Sequence, residues 1–214
     1  MIDLHTLSTF SDGELIPSEL VRRAVVMGYK AIAITDHADF TNIEHILSCM
    51  KKVKSLEDEY DIKIFSGVEL THVPPGKLPS LVEKARKLGA EIIVVHGETT
   101  VEPVPPGTNH TALSLDINVL AHPGLITIED AELARENGIA LELTSRNGHN
   151  RTNGHVVRIA NEVGATLIVD TDSHAPQDLI SDETAFTIAL GAGLDEKGAK
   201  KATGANPMNL IKRL

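Results

Sequence analysis

Apolar and polar positions fall in alternating blocks along this chain. Short aliphatic runs recur at Ile2–Leu4, Lys30–Thr35, Ile62–Val68, Glu91–Val95, Asn118–Ala121, Ile139–Leu143 and Thr166–Val169. Runs that are apolar at consecutive positions predict strands buried on both faces. Between them lie segments with apolar residues at helical spacing. One opens at Pro17-Ser18 and stops at Gly28; another spans Leu78–Leu88 before Gly89. Ile128–Glu136 ends at Asn137-Gly138, and Gly154–Val163 ends at Gly164. Glycine just past a helical run supplies the left-handed residue that ends a helix. Ile43–Tyr60 predicts one long helix, with Lys51, Lys52 and Lys54 beside Glu57, Asp58 and Glu59 as a solvated face. Glu183–Leu190 and Pro207–Arg213 predict two further helices.

Strands alternating with helices argue for a parallel sheet covered by helices. Seven such units predict an α/β fold, a distorted (β/α)7 TIM-like barrel, with an open doubly wound sheet as the alternative. No linker-like run divides residues 1–214, so a single domain is expected. No glycine-rich phosphate loop follows the first strand, which removes the usual sign of a nucleotide there. Gly97–Thr108 is proline-rich and predicts a rim or lid rather than a helix.

Composition narrows the picture. The formal charge is −10, which argues against broad nucleic-acid binding, since that needs Lys and Arg to replace counterions. No apolar run is long enough to span a bilayer. Cys49 is the single cysteine, so no internal disulfide forms, and Met1–His5 lacks signal-peptide character. A cytoplasmic location is expected.

The chain holds ten histidines against two tyrosines and no tryptophan. Their positions are informative, because imidazole is the commonest metal ligand. His5, His37, Glu69, His96, His122, Glu142 and the pair Asp172/His174 each fall at or near the C-terminal end of a predicted strand. In a parallel barrel those ends share one face, where active sites are built. Carboxylates and imidazoles converging there suit a divalent metal. His45 falls on a predicted helix surface. His72, His110, His149 and His155 fall in loops or at helix starts and are read as bystanders, with His110 and His149 as the closest to a rim.

Asp3-Leu4-His5-Thr6 with Ser11-Asp12-Gly13, Ile34-Thr35-Asp36-His37, Gly67-Val68-Glu69, Val95-His96-Gly97, Ala121-His122-Pro123 and Asp172-Ser173-His174 occur in this order. Together they resemble the polymerase and histidinol phosphatase (PHP) superfamily, and most nearly its stand-alone histidinol-phosphatase-like members. The resemblance implies a distorted seven-unit barrel, two or three divalent ions (zinc, manganese or iron) and phosphoesterase activity. It divides the ligands into three sets: His5, Glu69 and Asp172; Glu69, His96 and His122; Asp12, His37 and His174. Glu69, Asp172 and His174 are expected to be catalytic. The family places a second histidine where this chain has Leu7, so the first set is expected to lack one ligand and bind more weakly. Glu142 is not a ligand of that pattern and is expected to support the ligands or touch substrate. Arg146, after the sixth strand, is the expected phosphate contact.

The expected substrate is a small phosphate monoester of the histidinol phosphate kind. The alternatives are a phosphodiesterase or nuclease acting on nucleotides or nucleic-acid ends, and a non-catalytic metal-binding protein. Neither a membrane nor nucleic acid is an expected partner, and oligomeric state is not legible.

Overall fold

The computed structural model describes residues 1–214. Eight parallel strands form one sheet: β1 (Ile2–Thr6), β2 (Ala31–Ile34), β3 (His37–Ala38), β4 (Lys63–Leu70), β5 (Ile92–His96), β6 (Val119–Ala121), β7 (Ala140–Thr144) and β8 (Leu167–Asp170). The order is β1-β2-β4-β5-β6-β7-β8, and β3 adds to β4 beside β2. A parallel bridge from Thr6 to Ser173 and a hydrogen bond from Leu7 N to Ser173 O bring β1 against the end of β8. The sheet is thereby a nearly closed TIM-like barrel.

Alternation along the strands sorts the apolar residues into two cores. Ile32, Ile34, Ile93, Val95, Leu141 and Val169 join the large core beneath the helices. Ile2, Leu4, Ala31, Ala33, Ile92, Val94, Val119, Ala121, Ala140 and Ile168 form a second cluster that fills the barrel. Small residues recur in this inner set because opposing strands must fit across a narrow interior. The inner set is an apolar plug, and the polar side chains lie beyond it toward the C-terminal strand ends.

The helices α1 (Pro17–Val26), α2 (Ile43–Val53), α3 (Glu57–Tyr60), α4 (Leu78–Lys87), α5 (Thr108–Leu113), α6 (Ile128–Asn137), α7 (Asn153–Val163), α8 (Asp182–Gly191), α9 (Glu196–Lys200) and α10 (Asn206–Ile211) surround the barrel. Gly138 and Gly164 end α6 and α7 in the left-handed conformation. None of the helices is long and apolar enough to cross a membrane.

One expectation is corrected. The long helix over residues 43–60 is split by a 3-10 turn at Lys54–Leu56. There Lys54 pairs with Glu91 at 2.6 Å and Glu57 accepts from Ile64 N, so these side chains serve tertiary contacts rather than a solvated helix face. Gly67 lies inside β4, where an added Cβ would stand 2.7 Å from Ile92 O and Thr35 Cγ2. Helix α9 is followed by a π-turn at Lys201–Ala205.

Candidate metal centre

Strand parity delivers part of the site. Glu69 continues the inward face of Phe65 and Gly67, His96 that of Ile92 and Val94, and Glu142 that of Ala140. His5 breaks this rule. Leu4 packs in the barrel and His5 also points inward, at a register irregularity between Asp3 and Thr6. His122 and Asp172 are brought in by turns, with φ of 28° and 52°. Non-glycine residues avoid this region, and such strain collects where a site requires a particular side-chain direction.

At the floor, His5 Nε2 lies 3.1 Å from Glu69 Oε2 and 3.6 Å from Asp172 Oδ1. His122 Nε2 lies 3.6 Å from Glu69 Oε1 and from Asp172 Oδ2. All four side chains are buried. His5 Nε2, both Glu69 oxygens and Asp172 Oδ1 are nevertheless without aligned hydrogen-bond partners. Buried polar atoms left in that condition are costly, unless they converge on an ion. The donor set therefore fits a divalent metal. It joins His122 and His5, which the family pattern divides between two sets, around the shared Glu69.

Glu142 supports this floor from behind. Its Oε1 is 2.8 Å from His5 Nδ1, and its Oε2 accepts from His122 N at 2.7 Å. A carboxylate on the far nitrogen fixes which nitrogen of His5 faces the centre. Glu142 is fully buried, so of its two expected roles the geometry gives it the supporting one.

Nearer solvent, His37 Nε2 and His174 Nε2 each lie 3.4 Å from Asp12 Oδ1, so the third expected set also comes together. His37 Nδ1 is 2.7 Å from Glu69 Oε2, which links this set to the floor. His174 Nδ1 is tied to the carbonyl of Asp172 at 2.9 Å.

The second expected set is not assembled in that form. Glu69's close imidazole partners are His5, His37 and His122. His96 Nε2 instead lies 3.1 Å from Glu102 Oε2. The same oxygen is 3.0 Å from His72 Nε2, and Glu102 Oε1 is 3.3 Å from His149 Nε2. His72 and His149 therefore both stand at this carboxylate, and His149 is buried with its ring centroid 4.3 Å from that of His122. Glu102 had no strand-end signal, because the proline-rich loop carries it in. Its hint was a carboxylate beside Pro103 in a loop expected at the rim. His110 pairs with Asp130 at the surface and takes no part, His45 is exposed on α2, and His155 bonds Ile126 O.

The charges are mutually adjusted. Burial disfavours the His5 imidazolium, but Glu69, Glu142 and Asp172 outweigh it and hold His5 well above its ordinary value. For His37 burial is likewise overcome, by Glu69 and Asp12, and its value rises to about 9. Burial pushes Asp172 up to about 7, against the pull of His5. Burial also opposes ionisation of Glu69, yet His5 and His37 keep it well below the carboxylate range. His122 is depressed well below the imidazole range by burial and by His96. Without metal, His5 holds a proton at the floor and Asp172 holds one below about neutrality, whereas Glu69 and His122 do not.

Arg146 lies on the loop after β7 and pairs with Asp178 Oδ2 at 3.1 Å. Asp178 also accepts from His174 N and Ala175 N, tying Arg146 to the loop that carries His174. Arg146, Ser145, Asn147, Thr171 and Gln177 line a cavity of about 520 Å³. Thr171 places it beside Asp172.

The PHP domain family profile matches residues 3–101. The uncharacterized protein MJ1295 of Methanocaldococcus jannaschii is 52% identical over 99% of both chains. A chain in the structure of archaeal ribonuclease P with mature tRNA superposes with a TM-score of 0.74 at 18% identity, over 100% of this chain and 90% of that one. Histidinol phosphate phosphatase from Lactococcus lactis, complexed with zinc, L-histidinol and phosphate, superposes with a TM-score of 0.60 at 17% identity, over 99% and 92% of the two chains.

Proposed function

From the premise that this chain belongs to the PHP domain family, we propose that it hydrolyses a small phosphate monoester of the histidinol phosphate kind, using two or three divalent ions. The observation that carries this reading is the floor itself: buried imidazoles and carboxylates meeting at 3.1–3.6 Å with donor atoms unpartnered. The fold shared with a phosphatase structure that holds zinc, histidinol and phosphate supports it.

Glu69, with His5, His122 and Asp172, would hold the inner ions, and Asp12, His37 and His174 the outer one. Bound divalent ions would neutralise a phosphate dianion and make a water acidic enough to attack at neutral pH. Glu142 fixes His5 and the backbone of His122, so the ligands need not reorganise during reaction. Asp172 stands beside His5, His122 and His174, where it can hold a proton or release it near neutrality. Asp12 is exposed, with His174 beside it and only partly exposed, and the pair faces the side from which an oxygen would depart. Arg146 offers its free guanidinium donors to phosphate at the mouth of the side cavity, and that cavity has room for a small leaving group. The acidic chain, with Asp12 and Glu102 at the opening, disfavours a polyanionic nucleic-acid track.

The test is a panel on protein loaded with zinc, manganese or iron: histidinol phosphate and other small monoesters, a bis-aryl phosphodiester, and oligonucleotides with each kind of end. Monoester turnover well above diester turnover is the expected outcome. Cleavage of oligonucleotide ends alone would replace this reading with the nuclease one, and metal binding with no turnover would replace it with a non-catalytic role.

A further inference from the structure

We infer that Asp178 is a positioning residue, which sets both the phosphate-contacting edge of Arg146 and the loop of His174 through one carboxylate oxygen. The inference rests on the phosphate-hydrolysing reading of the site and deepens it. Three donors converge on Asp178 Oδ2: Arg146 Nη1 at 3.1 Å, His174 N at 3.0 Å and Ala175 N at 2.9 Å. The first belongs to the loop after β7 and the other two to the turn after β8. The backbones of these loops already meet nearer the strands, where Ser145 N donates to Asp170 O at 3.0 Å and Ser145 Oγ to Thr171 O at 3.2 Å. Asp178 adds a second fastening at the level of the cavity.

Local sequence accounts for two of the three donors. Pro176 opens a single 3-10 turn, Pro176–Asp178, in which Asp178 N donates to Ala175 O at 3.0 Å. The side chain of Asp178 then folds back onto the amides that precede the turn, a common way for a carboxylate to satisfy them. The turn does not need the third donor, Arg146, which stands 32 residues away in the chain. That contact is a tertiary choice.

Its consequence follows from the shape of the guanidinium, a planar fork with fixed donor directions. With Nη1 turned to Asp178, the Nε–Nη2 edge is left to meet a phosphate with two parallel donors. Arg146 and Asp178 are partly exposed and both line the cavity that Thr171 places beside Asp172. An arginine without this carboxylate would keep its rotamer freedom, and the phosphate would have to order it on binding. The same oxygen acts on His174. Asp178 holds the backbone N–H of His174, and Asp172 O holds its Nδ1 at 2.9 Å, so its Nε2 is left facing Asp12 at 3.4 Å.

The experiment uses the full chain, stripped and reloaded with manganese, as wild type, Asp178→Asn, Arg146→Ala, the double variant and Asp178→Ala. Inorganic phosphate is the probe, its affinity is read by isothermal titration, and ion retention is read by competition with a chelator. Asparagine keeps an oxygen for the two amides and removes the charge facing Arg146. Asp178→Asn should weaken phosphate about threefold to tenfold with ion retention unchanged. The double variant should bind phosphate no more weakly than Arg146→Ala, because the effect of Asp178 on phosphate passes through the arginine. Asp178→Ala removes all three bonds and should also weaken one ion by about tenfold or more. Additive losses in the double variant would overturn the inference. So would unchanged or tighter phosphate binding in Asp178→Asn, since the carboxylate would then act only as a charge opposing the anion. Wild-type ion retention in Asp178→Ala would overturn the hold on His174, and the asparagine cycle decides the role at Arg146 whether or not the alanine variant folds. No phosphate binding by loaded wild type would overturn the inference together with the phosphate contact it rests on. No turnover of any monoester, with the cycle as expected, would count against the phosphatase reading alone.

Discussion

The floor and the rim of this pocket are built from the same residue types in opposite ways. The floor set of His5, Glu69, His122 and Asp172 is buried, sits on or beside strand ends and is braced by Glu142. The rim set of Glu102, His72 and His149 hangs on turns and a loop, and Glu102 and His72 are exposed. Burial makes an unpaired charge at the floor expensive, so its protons and ions are tightly coupled. At the rim, solvent screens the same charges, and geometry depends on where one loop lies. The floor should govern chemistry, and the rim should govern access and loop order.

The sharpest way to break this contrast is at Glu69, which touches His5, His37 and His122. Glu69→Gln is expected to lower hydrolysis by about a thousandfold or more, equivalent to about 4 kcal/mol, with the fold retained. His122→Ala should behave alike. Steady-state rates beside circular dichroism check this, and unchanged rates would move the chemistry away from the floor.

The next effect is on pH. His37, raised to about 9, and Asp172, raised to about 7, carry protons that a cation must displace. Metal affinity should therefore rise from pH 6 toward pH 9, by up to about tenfold per unit for each proton released. The metal-free protein should show the opposite trend in stability. A group whose value is raised by folding stabilises fully below its unfolded value and loses that contribution as pH rises through its folded value. Stability of the stripped protein should thus fall from pH 6 to pH 9. Isothermal titration at several pH values, with urea unfolding of the stripped protein, tests both signs. A metal affinity flat across this range would contradict protons held on His37 and Asp172.

Glu142→Gln probes the brace without touching solvent. About a ten- to hundredfold loss of metal affinity is expected in competition with a chelator, the usual range for partners behind a ligand. Arg146→Ala should be milder: KM up by about tenfold and kcat little changed, as for a contact made equally in ground and transition states. A fall in kcat alone would mean that Arg146 acts later in the reaction.

Leu7 carries the smallest expected effect. It is buried at 1% exposure, and its backbone N–H is engaged by Ser173. Leu7→His should raise metal occupancy of the floor and the rate together. Equal stoichiometry and equal rates in a manganese and zinc titration would show that the floor works without a ligand at this position.

What the sequence determined by itself is whatever follows from period. Continuous apolar runs dictate buried parallel strands, and alternation places Glu69, His96 and Glu142 on the face that also carries the barrel plug. Glycines after helical runs set the stops at Gly138 and Gly164. Only the tertiary structure decided what lies outside that period. His5 turns inward at an irregular register, and His72, His122 and Asp172 turn on left-handed residues that no side-chain pattern announces. The helix expected over 43–60 broke where Lys54 and Glu57 found partners on other elements. Glu102 reaches three histidines distant in sequence because a proline-bound loop lies across the barrel mouth. Periodicity is a local property of the backbone, whereas a ligand set is a meeting of chain segments. Its membership is fixed only when the barrel closes and the loops settle against it.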